Sequence, residues 1–314
     1  IGRSKNVNYK ACLTITDTQP QVTKTFLANC RYIRTVMDLP KQTELLIQFA
    51  LLSQVNKWIR ALSSEVHMQT SHLSLNEILK DISGISDELF SHATAQLNHY
   101  GFLPDTDFLS FEYGAMPKAL VRTLLSETIT SRETLIAPLL HPSPDANFTL
   151  DDFPHVNTAL LSQYLTAASK SRQSGASILL YGASGTGKTE LSRTLAKYCD
   201  RTLYEIRSTA LASNFSEDEF NSRFPNKERL RYLALLQSLL TCKADAMLLV
   251  DECESLFDCA DSQYSKEHLQ RFIEQNEIPC IWITNHIQYL EPSFIRRFKL
   301  VLDVPTLRAE EIEQ

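Results

Sequence analysis

The 314-residue sequence has no long apolar run, no paired-cysteine motif and no excess of basic residues. No stretch reaches the roughly 18–20 apolar residues of a membrane span and no signal peptide is visible, so we expect a cytoplasmic protein. The seven cysteines include no Cys-x-x-Cys pair, which predicts reduced thiols and no zinc site. The net charge is −6, which argues against a general nucleic-acid-binding surface.

Apolar residues recur at helical spacing through the N-terminal half of the chain. They predict a helix over residues 26–37, before Pro40, and a second helix over residues 45–59. Residues 74–79 have the pattern of a capped helix start, and residues 86–101 begin with a capping Ser and end at a Gly. The sequence therefore predicts a mostly helical N-terminal domain.

The last of these predicted helices are followed by residues that favour two short strands. Residues 102–111 have this pattern, so residues 74–112 resemble a winged helix within an N-terminal domain of residues 1–147. A winged helix that binds DNA needs basic side chains for the phosphates, whereas residues 74–112 contain one Lys and seven acidic residues. The charge favours a scaffold or protein-docking module and argues against a nucleic-acid partner.

The pattern changes after residues 141–147, a polar, proline-containing segment that we interpret as a linker. Continuous apolar segments then alternate with helical stretches. The predicted strands are residues 178–182, 202–206, 246–251, 280–284 and 299–304. Strands that are apolar on both faces are typical of a parallel sheet covered by helices on both sides, so we predict an α/β domain over residues 148–314.

The sequence GASGTGKT, residues 182–189, lies between the first predicted strand and a helix and matches the phosphate-binding pattern G-x-x-x-x-G-K-[ST]. Glycines let backbone N–H groups surround phosphate oxygens, and the helix N-terminus adds partial positive charge. Lys188 is predicted to reach the β and γ phosphates of ATP, and Thr189 to bind Mg²⁺. The predicted ATP-binding residues here are Gly182, Ala183, Ser184, Gly185, Thr186, Gly187, Lys188, Thr189 and Glu190.

The segment MLLVDE, residues 247–252, ends a predicted buried strand in two acidic residues. Asp251 is predicted to hold Mg²⁺, and Glu252 to orient or deprotonate the water that attacks the γ-phosphate. A carboxylate pair at a strand end can also be a solvated turn. The complete phosphate-binding loop in the same chain favours the catalytic interpretation.

Four segments, YGASGTGKTELSRTLA, LLVDECESLF, IWITN and PSFIRRF, occur in an order and spacing that resemble an AAA-type ATPase of the AAA+ superfamily. The resemblance covers about residues 148–304 and is greatest to the remodelling and unfolding branch, which includes katanin and spastin. It implies a doubly wound parallel sheet of strand order 5-1-4-3-2, a helical lid that is missing or truncated after Val304, and a ring hexamer.

The activity implied by this resemblance is Mg²⁺-dependent ATP hydrolysis that drives the remodelling or unfolding of a protein. The alternative is an ATP-gated regulatory switch, or an ATPase associated with nucleic acid. In the alternative, the N-terminal domain binds nucleic acid or a dedicated partner and ATP only gates assembly. The sequence identifies no substrate or adaptor.

The resemblance also implies catalytic roles for residues near the last two predicted strands. Asn285 corresponds to sensor 1, a polar group that touches the γ-phosphate or the attacking water. Arg296 and Arg297 correspond to arginine fingers, which reach the ATP of a neighbouring subunit and stabilise the charge of the transition state. Surface salt bridges are the alternative role for these two arginines.

Two further sets of residues are assigned by position in the resemblance. Asp152 and Phe153 correspond to a segment near the adenine. Phe215 corresponds to an aromatic side chain that projects into the central pore and presses on an extended substrate. Burial in the core is the alternative for both phenylalanines.

Overall fold

The computed structural model describes residues 23–55, 59, 75–102, 118–171, 173–206, 225–257 and 263–306. Phe215 and almost all of the predicted strand pair, residues 103–111, lie outside the described residues. The winged-helix prediction is therefore not confirmed, whereas the helical character of the N-terminal half is confirmed.

Six α-helices precede the sheet in the described part of the N-terminal half. They are α1 (Lys24–Val36), α2 (Glu44–Val55), α3 (Leu75–Ser83), α4 (Asp87–His99), α5 (Lys118–Ser126) and α6 (Arg132–Ile136). Helix α4 begins as its sequence predicts, because the Ser86 hydroxyl accepts a hydrogen bond from the Leu89 N–H at 3.3 Å. It ends before Gly101, whose φ of 74° is a conformation that glycine adopts at little cost.

A buried asparagine fastens the first helix to the end of α5. The Asn29 side chain donates to the carbonyl oxygens of Leu124 at 2.9 Å and Glu127 at 2.7 Å. Its own carbonyl oxygen accepts from the Ile129 N–H at 2.9 Å. Because each of these polar groups finds a partner, the amide is buried without an unsatisfied donor.

The second half alternates helices and strands. Its elements are α7 (Thr158–Ser171), β1 (Ser177–Tyr181), α8 (Lys188–Tyr198), β2 (Thr202–Glu205), α9 (Pro225–Leu239), β3 (Ala246–Val250), α10 (Glu254–Phe257), α11 (Gln263–Gln275), β4 (Cys280–Thr284), α12 (Pro292–Ile295) and β5 (Leu300–Asp303). All five strands are parallel, in the order β2-β3-β4-β1-β5. This is the predicted order 5-1-4-3-2 viewed from the other edge, so the fold prediction is confirmed.

The two faces of the sheet pack against different parts of the chain. Ile178 and Leu180 of β1 face a cluster formed with helices α7 and α8. Leu179 of β1 and Trp282 of β4 belong to a second cluster, which continues through α9 into the N-terminal helices as far as Phe26. Since successive strand residues point to opposite faces, the continuous apolar runs follow from covering both faces.

The segment predicted as a linker lies along the edge of the sheet. Pro142 forms an antiparallel bridge with Tyr204 of β2. The Ser143 N–H donates to the Leu203 carbonyl at 2.8 Å, and the Glu205 N–H donates to the His141 carbonyl at 3.0 Å. The segment thus covers an otherwise unpaired strand edge.

Among the described residues, no helix is long and apolar enough to cross a bilayer.

Candidate functional site

The predicted phosphate-binding loop connects β1 to α8 at the carboxyl edge of the sheet. Gly182 has a φ of 145°, and a Cβ atom at this position would lie 2.4 Å from the Val304 carbonyl oxygen. Gly187 precedes α8 with a φ of 85°. The loop therefore needs glycine at both positions, one for space and one for its backbone conformation.

Lys188 is enclosed by the loop that precedes it. Its side chain is 4% exposed, and its Nζ donates to the carbonyl oxygens of Gly182 at 2.9 Å and Ala183 at 2.6 Å. Burial lowers the pKa of the ammonium group, and the nearby carboxylates of Asp251, Glu254 and Asp303 act in the opposite direction. Three acidic groups thus accompany one lysine, and the sequence motifs had identified only Asp251.

Thr189 and Asp251 are brought together although they are distant in the chain. The Thr189 hydroxyl donates to Oδ2 of Asp251 at 2.7 Å. The other carboxylate oxygen, Oδ1, accepts from the Glu252 N–H at 2.8 Å. A hydroxyl and a carboxylate side by side fit Mg²⁺, which is commonly held by one or two protein oxygens together with water and phosphate oxygens.

Glu252 is exposed and has an unusual backbone conformation. Its φ is 48°, in the left-handed region that few residues other than glycine adopt. Such a conformation persists when the surrounding structure holds it in place. One of the groups that hold it belongs to a buried arginine that no sequence motif indicated.

That residue is Arg229 of α9, which is 1% exposed. Its guanidinium donates to the carbonyl oxygens of Glu252 at 3.0 Å and Ile206 at 2.9 Å, to that of Asp251, and to the Ser255 hydroxyl at 2.9 Å. Burial lowers its pKa, and nearby acidic groups counteract this. Arg229 thus joins the end of β2 to the acidic turn after β3. The available sequence signal was an arginine in a largely apolar helical stretch.

We expect Arg229→Met to destabilise the protein by about 3 kcal/mol, because buried carbonyl oxygens lose a charged donor. Urea denaturation measures the change. Arg122→Met, at an exposed position of α5, is the matched control and should change the free energy of unfolding by less than about 0.5 kcal/mol. An Arg229→Met protein as stable as this control would contradict the structural role.

Asn285 follows β4 directly and lies at the same edge of the sheet as the acidic turn. The Cys253 N–H donates to the Ile283 carbonyl at 2.9 Å, which holds the end of β4 beside the residues that follow β3. Strand β4 also pairs with β1, so Asn285 follows a strand adjacent to the one that leads into the phosphate-binding loop. Its sensor 1 role stays a prediction that this placement allows.

The two candidate arginine fingers have different surroundings. Arg297 is half-buried, donates to Oε1 of Gln270 at 2.8 Å and forms an ion pair with Glu274 of α11 at 3.4 Å. Arg296 is exposed and has no carboxylate within ion-pair distance among the residues that the structure describes. Among the described residues, the alternative of an intrachain salt bridge therefore applies to Arg297 and not to Arg296.

The two residues expected near the adenine also differ. Phe153 is 6% exposed, and its Cε1 would lie 3.4 Å from a Cβ atom at Gly187, so its ring borders the phosphate-binding loop. The Asp152 carboxylate accepts from the Thr149 N–H at 2.7 Å and hydroxyl at 2.8 Å, and these bonds hold its pKa below the usual value. Asp152 therefore caps a turn, and contact with adenine stays a prediction for both.

Glu190, the last residue of the predicted ATP-binding set, is part of an ionic network. Its carboxylate accepts from the Asn147 N–H at 2.7 Å and pairs with Arg193 at 3.1 Å. Arg193 also pairs with Glu205 of β2 at 2.8 Å. The network ties α8 to β2 and to the segment along the sheet edge, and a nucleotide contact by Glu190 stays a prediction.

Comparison with known proteins agrees with the motifs. Residues 178–306 match the model of the ATPase family associated with various cellular activities (AAA). The ATPase family AAA domain-containing protein FIGL1 of Arabidopsis thaliana is 26% identical over 152 residues. That similarity covers 44% of this chain and 21% of FIGL1, so the chain spans about a fifth of the length of this relative.

Similar solved structures include those of FIGL-1, PCH-2 and katanin. The crystal structure of the FIGL-1 AAA domain in complex with ADP has a TM-score of 0.43 at 22% identity, over 56% of this chain and 63% of that one. C. elegans PCH-2 has a TM-score of 0.36 at 20% identity, over 48% and 43%. A structure described as the structural basis for katanin self-assembly has a TM-score of 0.39 at 18% identity, over 56% of this chain and 60% of that one.

Proposed function

We propose that this chain hydrolyses ATP with Mg²⁺ and remodels a protein as part of a ring, because residues 178–306 match the model of the AAA family of ATPases. The observation that carries the proposal is the contact of Thr189 with Asp251 beside a glycine loop that encloses Lys188. The direct test is phosphate release from ATP in Mg²⁺ buffer, which EDTA should abolish. Failure of the full-length protein to release phosphate would refute the proposed hydrolysis.

Each residue of the site has a role that its position supports. The Nζ of Lys188 would exchange loop carbonyl oxygens for phosphate oxygens, a stronger, charge-assisted interaction. Thr189 and Asp251 would hold Mg²⁺, which neutralises charge on the phosphates. Glu252 would accept a proton from the attacking water, and Asn285 would orient that water.

Arg296 is our candidate for the dominant arginine finger. Its guanidinium is exposed, and it is the one of the pair without a carboxylate partner in the described part of the chain. It would act on the ATP of a neighbouring subunit, so hydrolysis would require assembly. Arg297 would support it by anchoring the segment after α12 to Gln270 and Glu274 of α11.

The substrate-gripping role of Phe215 yields a further prediction. We expect Phe215→Ala to keep basal ATP hydrolysis and melting temperature, and to lose the stimulation of hydrolysis by an unfolded protein. Phe26→Ala, which truncates a fully buried side chain, is the comparison and should cost about 3–5 kcal/mol. A comparable loss of stability in Phe215→Ala would place Phe215 in the core and refute the pore role.

The rival function is an ATP-gated switch that acts on nucleic acid or on a dedicated partner. We propose that residues 1–147 form a docking domain for protein instead, since residues 74–112 carry one Lys against seven acidic residues. Hydrolysis assayed with DNA and with an unfolded protein separates the two functions. Stimulation by DNA alone would favour the rival.

A further inference from the structure

A cleft of about 240 Å³ lies far from the candidate site, between the N-terminal helices and the helices of the sheet. We call it the basal cleft; its walls include His99, Tyr100, Arg132, Gln237, Arg271 and Glu277. Asn276, which also lines it, donates to the carbonyl oxygen of Ala176, the residue before β1. The basal cleft is therefore at the amino end of β1, whereas the phosphate-binding loop follows its carboxyl end.

Two guanidinium groups line the basal cleft, and neither is in an ion pair with a described carboxylate. Arg132 donates weakly to the Thr241 hydroxyl at 3.3 Å and to the Val36 carbonyl at 3.5 Å. Neither Arg132 nor Arg271 has a carboxylate within ion-pair distance in the described part of the chain, although Glu277 lines the same cleft. Arg132 is half-buried and Arg271 is exposed. Two like charges that line one cleft repel each other, and an anion bound between them would offset this repulsion.

A buried amide adds an independent observation. Gln237 of α9 is 7% exposed, and its Nε2 is buried without a hydrogen-bond partner. Native proteins seldom leave a buried donor unpaired, and such a group often marks the place of a missing acceptor. Because Gln237 also lines the basal cleft, a rotation of its side chain would bring this amide to an oxygen atom bound there.

We propose that the basal cleft binds a small organic oxyanion that carries a phosphate or carboxylate group. The oxyanion accepts hydrogen bonds from Arg271, Arg132 and the Gln237 amide. The volume suits a metabolite-sized ligand rather than a polymer. Because Arg132 belongs to the N-terminal helices and Arg271 to α11, the bound anion ties the two halves of the chain together and stabilises their contact.

The test is thermal unfolding of the full chain with glycerol phosphate, inorganic phosphate and succinate as probes, at constant ionic strength. The preferred probe should raise the melting temperature by about 2–4 °C at ten times its Kd. Arg271→Ala should weaken binding about tenfold or more, whereas Arg122→Ala, an exposed variant with the same change in charge, should bind normally. Phosphate that binds the glycine loop raises the melting temperature of both variants equally. The difference between the two shifts therefore reports binding in the basal cleft.

Gln237→Leu distinguishes a ligand site from a purely structural cluster. Leucine removes an amide whose Nε2 has no partner, so the free protein should melt at the same temperature or higher. The shift caused by the probe should nevertheless fall. No shift with any of the three probes, or a shift that survives both Arg271→Ala and Gln237→Leu, would overturn the proposal.

Discussion

Glu252→Gln is expected to lower the rate of phosphate release by about 10²–10⁴-fold while ATP binding is retained. The amide cannot accept the proton of the attacking water. Lys188, Thr189 and Asp251 remain in place to hold the phosphates and Mg²⁺, since the contact of Thr189 with Asp251 does not involve the Glu252 side chain. ATP binding is measured with a fluorescent analogue and turnover by phosphate release.

Lys188→Ala is the complementary variant and should weaken binding itself. Glu88→Gln, at an exposed position of α4, makes the same chemical change outside the site and should leave both measurements unchanged. Normal turnover by Glu252→Gln would rule out its assignment as the base. Loss of nucleotide binding would instead indicate that the strained turn at Glu252, with its φ of 48°, fails to form.

Arg296→Ala is expected to lower turnover by about 10³-fold or more, as does the loss of other arginine fingers. The truncation should leave stability unchanged, because Arg296 is exposed and its side chain makes no ion pair with another described residue. Arg297→Ala should have a smaller direct effect on the chemical step and should also lower stability, since it breaks the contacts with Gln270 and Glu274. Turnover and urea denaturation of the two variants separate the roles.

Mixing variants tests whether the finger acts between subunits. An Arg296→Ala subunit retains its own water-activating site, and a Glu252→Gln subunit retains a finger that can serve it. The mixture should therefore be more active than the sum of its components. If mixtures of the full-length proteins at all ratios show no gain, action between subunits is refuted. If Arg297→Ala proves the more damaging variant, the two arginines exchange roles.

The strands and the phosphate-binding loop could be predicted because their signals are local. Each strand is a short apolar run, and covering both faces of a parallel sheet requires such runs. Gly182 and Gly187 have positive φ angles, which glycine adopts at little cost. The glycines of the motif therefore predict the backbone conformation of the loop. The strand order came from the resemblance of motifs and is confirmed by the pairing of β1 with β4 and β5.

What could not be predicted depends on contacts between distant parts of the chain. Arg229 is 23 residues from Ile206 and 23 residues from Glu252, whose carbonyl oxygens it binds. No local sequence pattern predicts hydrogen bonds over such separations. The linker prediction likewise missed that Pro142 pairs with Tyr204, because a short polar segment has the same composition whether it is free or lies against a strand edge.

By itself, the sequence predicted the class of the fold, the resemblance to the AAA family and the chemical groups of the candidate site, since these depend on residue type and spacing. Tertiary structure alone decided which of two adjacent arginines contacts α11, which arginine holds the acidic turn, and where two cationic side chains share a cleft. Adjacent residues such as Arg296 and Arg297 are equivalent in local pattern. Packing separates them, because only one guanidinium lies within reach of Gln270 and Glu274 on α11.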